Sequence, residues 1–262
     1  MSAATLLALA LLLAAGLMTA VFALARRIDN YSVVDVAWSL AFTPLALLYA
    51  ALGPGWGPRR RLVAALTAAW SLRLGLHLWS RVASHHPRED GRYVELRRLW
   101  ASKLAARFFG FFQLQGLLNV ALSLPVLLAC LHEAPAFAPV ELAGAVVFAV
   151  SVGGETLADA QLRRFKADPA RRGRVCDVGL WRFSRHPNYF FEWLVWCGFL
   201  LLALPAPWGW TAAFAPLLML WFLLRVTGIP AKEEQALRTK GEAYRQYQRS
   251  TSAFFPLPPR RG

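Results

Sequence analysis

Apolar and polar segments alternate along the chain through seven cycles. The apolar stretches run roughly over 3–25, 33–52, 62–80, 108–131, 140–160, 190–204 and 208–227. Each lies near the ~20 residues that a helix needs to cross a bilayer, and the sixth is short. The pattern predicts an all-α integral membrane protein of seven transmembrane helices, built as one membrane-embedded domain over 1–262. Pro205, Pro207 and Gly209 interrupt the chain after the sixth stretch, so the last two helices are expected to form a tight hairpin. Segment 233–249 is rich in helix formers and predicts an amphipathic helix that ends before Pro256.

The polar segments differ in charge. Segment 81–103 carries Arg81, Arg88, Arg92, Arg97, Arg98 and Lys103. Segment 161–186 carries Arg163, Arg164, Lys166, Arg171, Arg172, Arg174, Arg182 and Arg185, and the tail from Arg225 onward is also basic. Segments 132–139 and 205–209 have no Lys or Arg. Basic loops stay in the cytoplasm, which predicts an outer N-terminus and a cytoplasmic C-terminus. Arg59-Arg60-Arg61 falls on the opposite side in this scheme. Ala23-Leu-Ala25 resembles a signal-peptide cleavage site, but no basic residue precedes the first stretch, and an uncleaved span is expected.

Composition agrees with this arrangement. The chain is 57% hydrophobic yet has a net charge of +14. Such basicity suggests nucleic acid in a soluble protein. Here the basic segments are separated by bilayer-length stretches, which argues against that partner. Cys130, Cys176 and Cys197 have no CxxC spacing. His85 and His86 are adjacent, a poor spacing for one tetrahedral ion, and no metal is expected. Neither GxGxxG nor GxxxxGK[ST] occurs, so no Rossmann or P-loop domain is expected.

Ionisable groups inside spans are costly and mark candidate function. Asp35 lies near the start of the second stretch with Trp38 about one turn on. It reads either as a functional acid or as an acid favoured by the helix N-terminus. Arg73, His77 and Arg81 form one stripe down the third stretch. Gln115 and Asn119 suit interhelical hydrogen bonds in the fourth. Glu155, Asp159 and Arg163 repeat at one-turn spacing towards the most basic segment, as a ligand site or as mutual partners. Arg185 and His186 precede Pro187, and Asn188 and Glu192 share the first helical face after it. A helix start with flanking cations suits a phosphate or carboxylate, and Asn capping is the plainer reading. Together these groups predict an anionic ligand with a reactive part that reaches into the bilayer.

Gly179-Leu-Trp-Arg-Phe-Ser-Arg-His-Pro-Asn-Tyr-Phe-Phe-Glu-Trp193 resembles the C-terminal signature of the steroid 5-alpha-reductase family, in its bacterial branch. Tyr244-Arg-Gln-Tyr-Gln-Arg-Ser-Thr-Ser-Ala-Phe-Phe-Pro256, Asp35-Val-Ala-Trp38 and Trp70-Ser-Leu-Arg73 are also similar to that branch. The resemblance implies a multi-pass reductase of a bacterial inner membrane. NADPH would enter from the cytoplasm and a lipid-soluble steroid or other enone from the bilayer. It implies Asp35, with Trp70 or Arg73, beside the substrate carbonyl. It assigns Asp159, Arg163, Lys166, Asn188 and Glu192 to the cofactor, and His77, Arg81, Arg185, His186, Tyr189 and Tyr244 are further candidates for the same ligand. Phe191 departs from the family's glycine, and Glu233-Glu234 stands where animal enzymes have paired histidines. The implied reaction reduces the C4=C5 bond of a 3-oxo-Δ4 steroid, with hydride delivered to the β-carbon. A protonated Asp35 would stabilise the enolate oxygen. Arg-His-Pro-x-Tyr is also similar to isoprenylcysteine carboxyl methyltransferases, which use S-adenosylmethionine. A sterol-binding protein without chemistry is the third reading.

Overall fold

The computed structural model describes residues 1–226 and 228–260. Thr227, the predicted end of the last stretch, lies outside them, as do residues 261–262 and the side chain of His85. All named elements among the described residues are helical, and the single strand-like pairing is an isolated bridge between Ser184 and Ser252. The chain divides into two compact units. They are Met1–Ala138 with Leu202–Ala212, and Pro139–Leu201 with Ala213–Gly262.

The first unit opens with α1 (Ala3–Arg27), whose start is capped by Ser2 accepting from the Thr5 amide at 3.2 Å. The second apolar stretch is a broken span, α2 (Val33–Leu40) and α3 (Phe42–Leu52), interrupted at Ala41. α4 (Gly57–His85) is longer than predicted and carries Pro58 in its first turn, where the missing amide would have no helical partner. α5 (Gly91–Leu99) is a short helix capped by Asp90 within a segment that reads as a loop in sequence. α6 (Leu104–Leu122) and α7 (Leu124–Leu131) share the fourth stretch, broken at Ser123 ahead of Pro125. α1 packs along α6, and α2 and α3 pack along α4. A β-carbon at Gly75 would run into Leu40, so glycine sets that close approach.

The second unit contains α8 (Pro139–Ala167), α9 (Pro187–Ala203), α10 (Phe214–Trp221), α11 (Ile229–Lys240) and α12 (Glu242–Ser250). α8 continues past its apolar part, so Arg163, Arg164 and Lys166 lie on a helix rather than in the predicted loop. The Trp193 indole donates to the Pro216 carbonyl at 3.2 Å, tying α9 to α10 as the expected hairpin requires. The single amphipathic helix predicted over 233–249 is two helices. Gly241, at φ +54°, breaks it in a backbone region that glycine adopts without strain.

Among the described residues, six segments are long and apolar enough to cross a membrane: Ala3–Arg27, Val33–Leu52, Gly57–Ser84, Ala101–Leu131, Pro139–Ala167 and Gly209–Lys240. These are the features of a multi-pass membrane protein. The sixth predicted stretch is α9, with 17 residues between Pro187 and the Pro205–Pro207 turn. That length spans about 26 Å, against about 30 Å of hydrocarbon.

Arg59 and Arg60 have a local explanation. Arg59 is buried to 1% exposure and donates to the carbonyls of His132, Ala134 and Ala136. Trp56 and Phe137 place their rings 5.5 and 5.8 Å from its guanidinium. Arg60 donates to Ala50 O near the end of α3 at 2.6 Å. Arg59 serves the carbonyls of the connection after α7 and Arg60 one near the end of α3, a reason for their position independent of loop charge.

Candidate functional site

In the first unit Asp35 lies in the first turn of α2. Three donors converge on its carboxylate. Arg92 Nη2 donates to Oδ2 at 2.7 Å and Arg81 Nη2 donates to the same oxygen at 3.2 Å. The Tyr93 hydroxyl donates to Oδ1 at 2.6 Å. This is the arrangement of an ionised acceptor, not of a protonated acid with a hydrogen to give. Among these groups the Tyr93 hydroxyl carries a hydrogen, which it gives to Asp35. Burial, and next the Asp35 charge, push its phenol well above the ordinary tyrosine range, so it stays protonated.

The cluster is laced together by two segments remote in sequence. Glu89 accepts from the Tyr31 amide at 2.5 Å and from Arg97 Nε at 2.6 Å. The Asp90 amide donates to Ser32 Oγ at 2.9 Å. Tyr31 stacks on Phe108 with centroids 3.8 Å apart, and the Arg97 guanidinium lies 4.6 Å from the Tyr31 ring. Burial would raise the Asp90 carboxyl; Arg92 and then Arg81 outweigh it and hold it below the usual carboxylate range.

Of the α4 stripe, Arg81 is placed on Asp35, whereas Arg73 and His77 lie half-buried higher on the same helix. Trp70 is fully buried with its ring 5.1 Å from Phe42. It packs in the α3–α4 contact. Arg92 and Tyr93 were hidden because 81–103 reads as a basic loop. The available signal is the acid pair Glu89-Asp90 directly ahead of them.

In the second unit Asn188 Nδ2 donates to Asp159 Oδ1 at 3.3 Å, joining the first turn of α9 to α8. Glu192, also buried, accepts from Trp196 Nε1 at 3.0 Å within α9. Tyr189 stacks on His186 at 5.5 Å. Arg185 is half-buried and turned towards the C-terminal helices. Its Nε donates to Glu233 at 2.7 Å, and its Nη1 donates to the carbonyls of Gln248 and Thr251. His186 approaches the same Glu233 oxygen at 3.3 Å. This removes Arg185 from the set of open cations and makes it the anchor of the tail. Tyr244 is buried nearby, and burial followed by the Glu233 charge pushes its phenol up to about 12. Arg163, Arg164, Lys166, Arg172, Arg174 and Arg182 are exposed, with no acidic partner among the described residues.

Residues 21–251 match the family described as "Protein of unknown function (DUF1295)". The chain belongs to that family. It is also 28% identical over 258 residues to an uncharacterized protein of Schizosaccharomyces pombe, covering 87% of this chain and 73% of the yeast protein.

Phe191 of this DUF1295 protein has its counterpart on α8. A β-carbon at Gly154 would lie within 3.0 Å of the Phe191 ring, so a glycine on α8 makes room for the aromatic residue on α9. Gly154→Ala is expected to lower stability in the native chain, because overpacking costs about 1–3 kcal/mol against a helix-propensity gain of about 1. In a Phe191→Ala background the same change should stabilise. A double-mutant cycle of detergent melting curves checks the sign reversal.

Proposed function

We propose that this protein is an NADPH-dependent reductase of the C=C bond of a lipid-soluble enone, for which a 3-oxo-Δ4 steroid is the test substrate. The proposed setting is a bacterial inner membrane, with α9 as a seventh span, an outer N-terminus and a cytoplasmic C-terminus. The observation that carries the reading is the Asp35–Tyr93–Arg92–Arg81 cluster. It is a phenol held by a carboxylate whose other oxygen already has two cationic donors.

The groups of the second unit fit a nucleotide cofactor. The exposed arginines and lysine of 163–182 offer guanidinium and ammonium donors to phosphates, and guanidinium forks match phosphate oxygens in pairs. Asp159, Asn188 and Glu192 are polar groups at or near the same helix start, suited to hydroxyl and amide recognition. NADPH, when bound, supplies the hydride. The protein's part is electrostatic. Hydride arrival at the β-carbon leaves negative charge on the carbonyl oxygen as an enolate. Tyr93 can turn its single hydrogen from Asp35 Oδ1 to that oxygen, because Arg92 and Arg81 keep the carboxylate satisfied. Apolar helices exclude water from the hydride.

Incubation of the purified protein with NADPH and a 3-oxo-Δ4 steroid, with mass analysis of the product, tests the reading. A gain of two hydrogens is expected: one hydride and one proton. Methyl transfer from S-adenosylmethionine, or binding without turnover, would replace it. Asn188→Ala is expected to weaken NADPH binding about tenfold through loss of one polar contact, read by titration. Unchanged affinity would sink the assignment of that helix start.

A further inference from the structure

The first unit pairs nearly every cation of segment 81–98 with an acid: Arg81 and Arg92 with Asp35 and Asp90, Arg97 with Glu89 and Asp29, and Arg98 with Glu95. The end of the α1·α6 pair is different. Arg26 and Arg27 close α1 with exposed side chains, and neither has an acidic partner among the described residues. Neither α1 nor α6 contains an Asp or Glu anywhere along its length. The two helices run antiparallel, with Gln113 Nε2 donating to Thr19 at 3.1 Å and Phe22 against Phe109 at 5.4 Å. That register carries Lys103 and Arg107 to the same end of the pair as Arg26 and Arg27.

Above these cations lies a groove of about 510 Å³ lined by Thr19, Phe22, Ala23, Arg26, Arg27 and Phe109. Phe22, Ala23 and Phe109 form its apolar walls, and Arg26 and Arg27 its charged end. The one hydroxyl in it is already used, since Thr19 donates to Ala15 O at 2.8 Å and accepts from Gln113. The Arg26 guanidinium lies 5.9 Å from the Phe22 ring, at the boundary of wall and charge. A free inorganic anion would satisfy the guanidiniums and leave the walls uncovered. A neutral lipid would cover the walls and leave the cations unmatched. An occupant with both an apolar chain and a negative headgroup satisfies both, as basic pockets between membrane helices do.

We propose that the α1·α6 groove is a binding site for an anionic phospholipid, with an acyl chain along Phe22, Ala23 and Phe109 and the phosphate headgroup at Arg26 and Arg27. The site is independent of the proposed reductase chemistry and uses none of its residues.

The test is native mass spectrometry of the full chain released from bilayers of phosphatidylcholine and phosphatidylglycerol with matched acyl chains. Retention of phosphatidylglycerol is expected to exceed that of phosphatidylcholine by about tenfold. R26Q/R27Q should abolish the preference by removing the charge. Ala23→Phe should abolish retention by filling the groove while both arginines remain. R98Q, an exposed charge change elsewhere in the unit, should leave the preference intact. Arg26 and Arg27 are exposed, so melting in neutral lipid should not change in the double variant. Equal retention of the two lipids, or an undiminished preference in R26Q/R27Q, would overturn the proposal. So would equal thermal stabilisation by millimolar inorganic phosphate, which would point to a soluble anion.

Discussion

Tyr93→Phe is expected to lower enone turnover about 10²–10³-fold, as loss of one oxyanion donor does, while NADPH affinity stays unchanged. The reason lies in what the hydroxyl touches. Tyr93 is 3% exposed and its ring packs edge-on against Phe111 at 6.3 Å, so phenylalanine keeps the packing. Only the hydrogen on Asp35 Oδ1 is lost. Arg92 and Arg81 remain on Oδ2, so the carboxylate keeps its two cations. The structural cost is about one hydrogen bond, roughly 1 kcal/mol, which a melting curve resolves separately from the kinetic loss. Asp35→Asn should also lower turnover, because it removes the negative charge that orients all three donors. Steady-state rates with NADPH titrated independently make the distinction. Undiminished turnover in Tyr93→Phe would remove the phenol from the chemistry.

Arg59→Ala is expected to destabilise the protein by about 3–5 kcal/mol without touching the chemistry. The side chain is buried, and it supplies charged donors to three carbonyls of segment 132–136. Alanine would take the charged donor from all three carbonyls, leaving His132 O only the Trp56 amide at 3.0 Å, and open a void between Trp56 and Phe137. Lysine should recover only part of the loss, since a single ammonium cannot reproduce a planar fork. The measurement is the unfolding midpoint in mild detergent for Arg59→Ala, Arg59→Lys and the parent. Arg61→Ala makes a suitable control, because Arg61 is exposed. Equal midpoints for Arg59→Ala and the parent would show that the clamp is dispensable.

Arg59 also shows how far sequence reading reaches. Its charge is visible in the sequence, and loop-charge counting makes it an exception. Its burial among carbonyls comes from residues 73 to 77 positions away. Phe191 is similar: it stands in sequence as a departure from a motif. Gly154 is unremarkable until the packing of α8 against α9 puts the two together. The contact of Trp70 with Phe42 is likewise absent from the local pattern, since a tryptophan one turn from an arginine reads the same whatever its ring meets.

The apolar stretches, the stops at Pro and Gly, and the one-turn spacing of Glu155, Asp159 and Arg163 and of Asn188 and Glu192 were determined by the sequence itself. Helix length and amphipathic spacing depend on neighbours within a turn or two, and bilayer thickness supplies a ruler for them. The tertiary structure alone decided what Asp35 touches. Its partners lie 46, 57 and 58 residues away in a segment whose local pattern is that of a basic loop. Whether an acid stands alone or under three donors depends on how α2, α4 and α5 pack. Packing is a property of surfaces in contact, and no local periodicity encodes it.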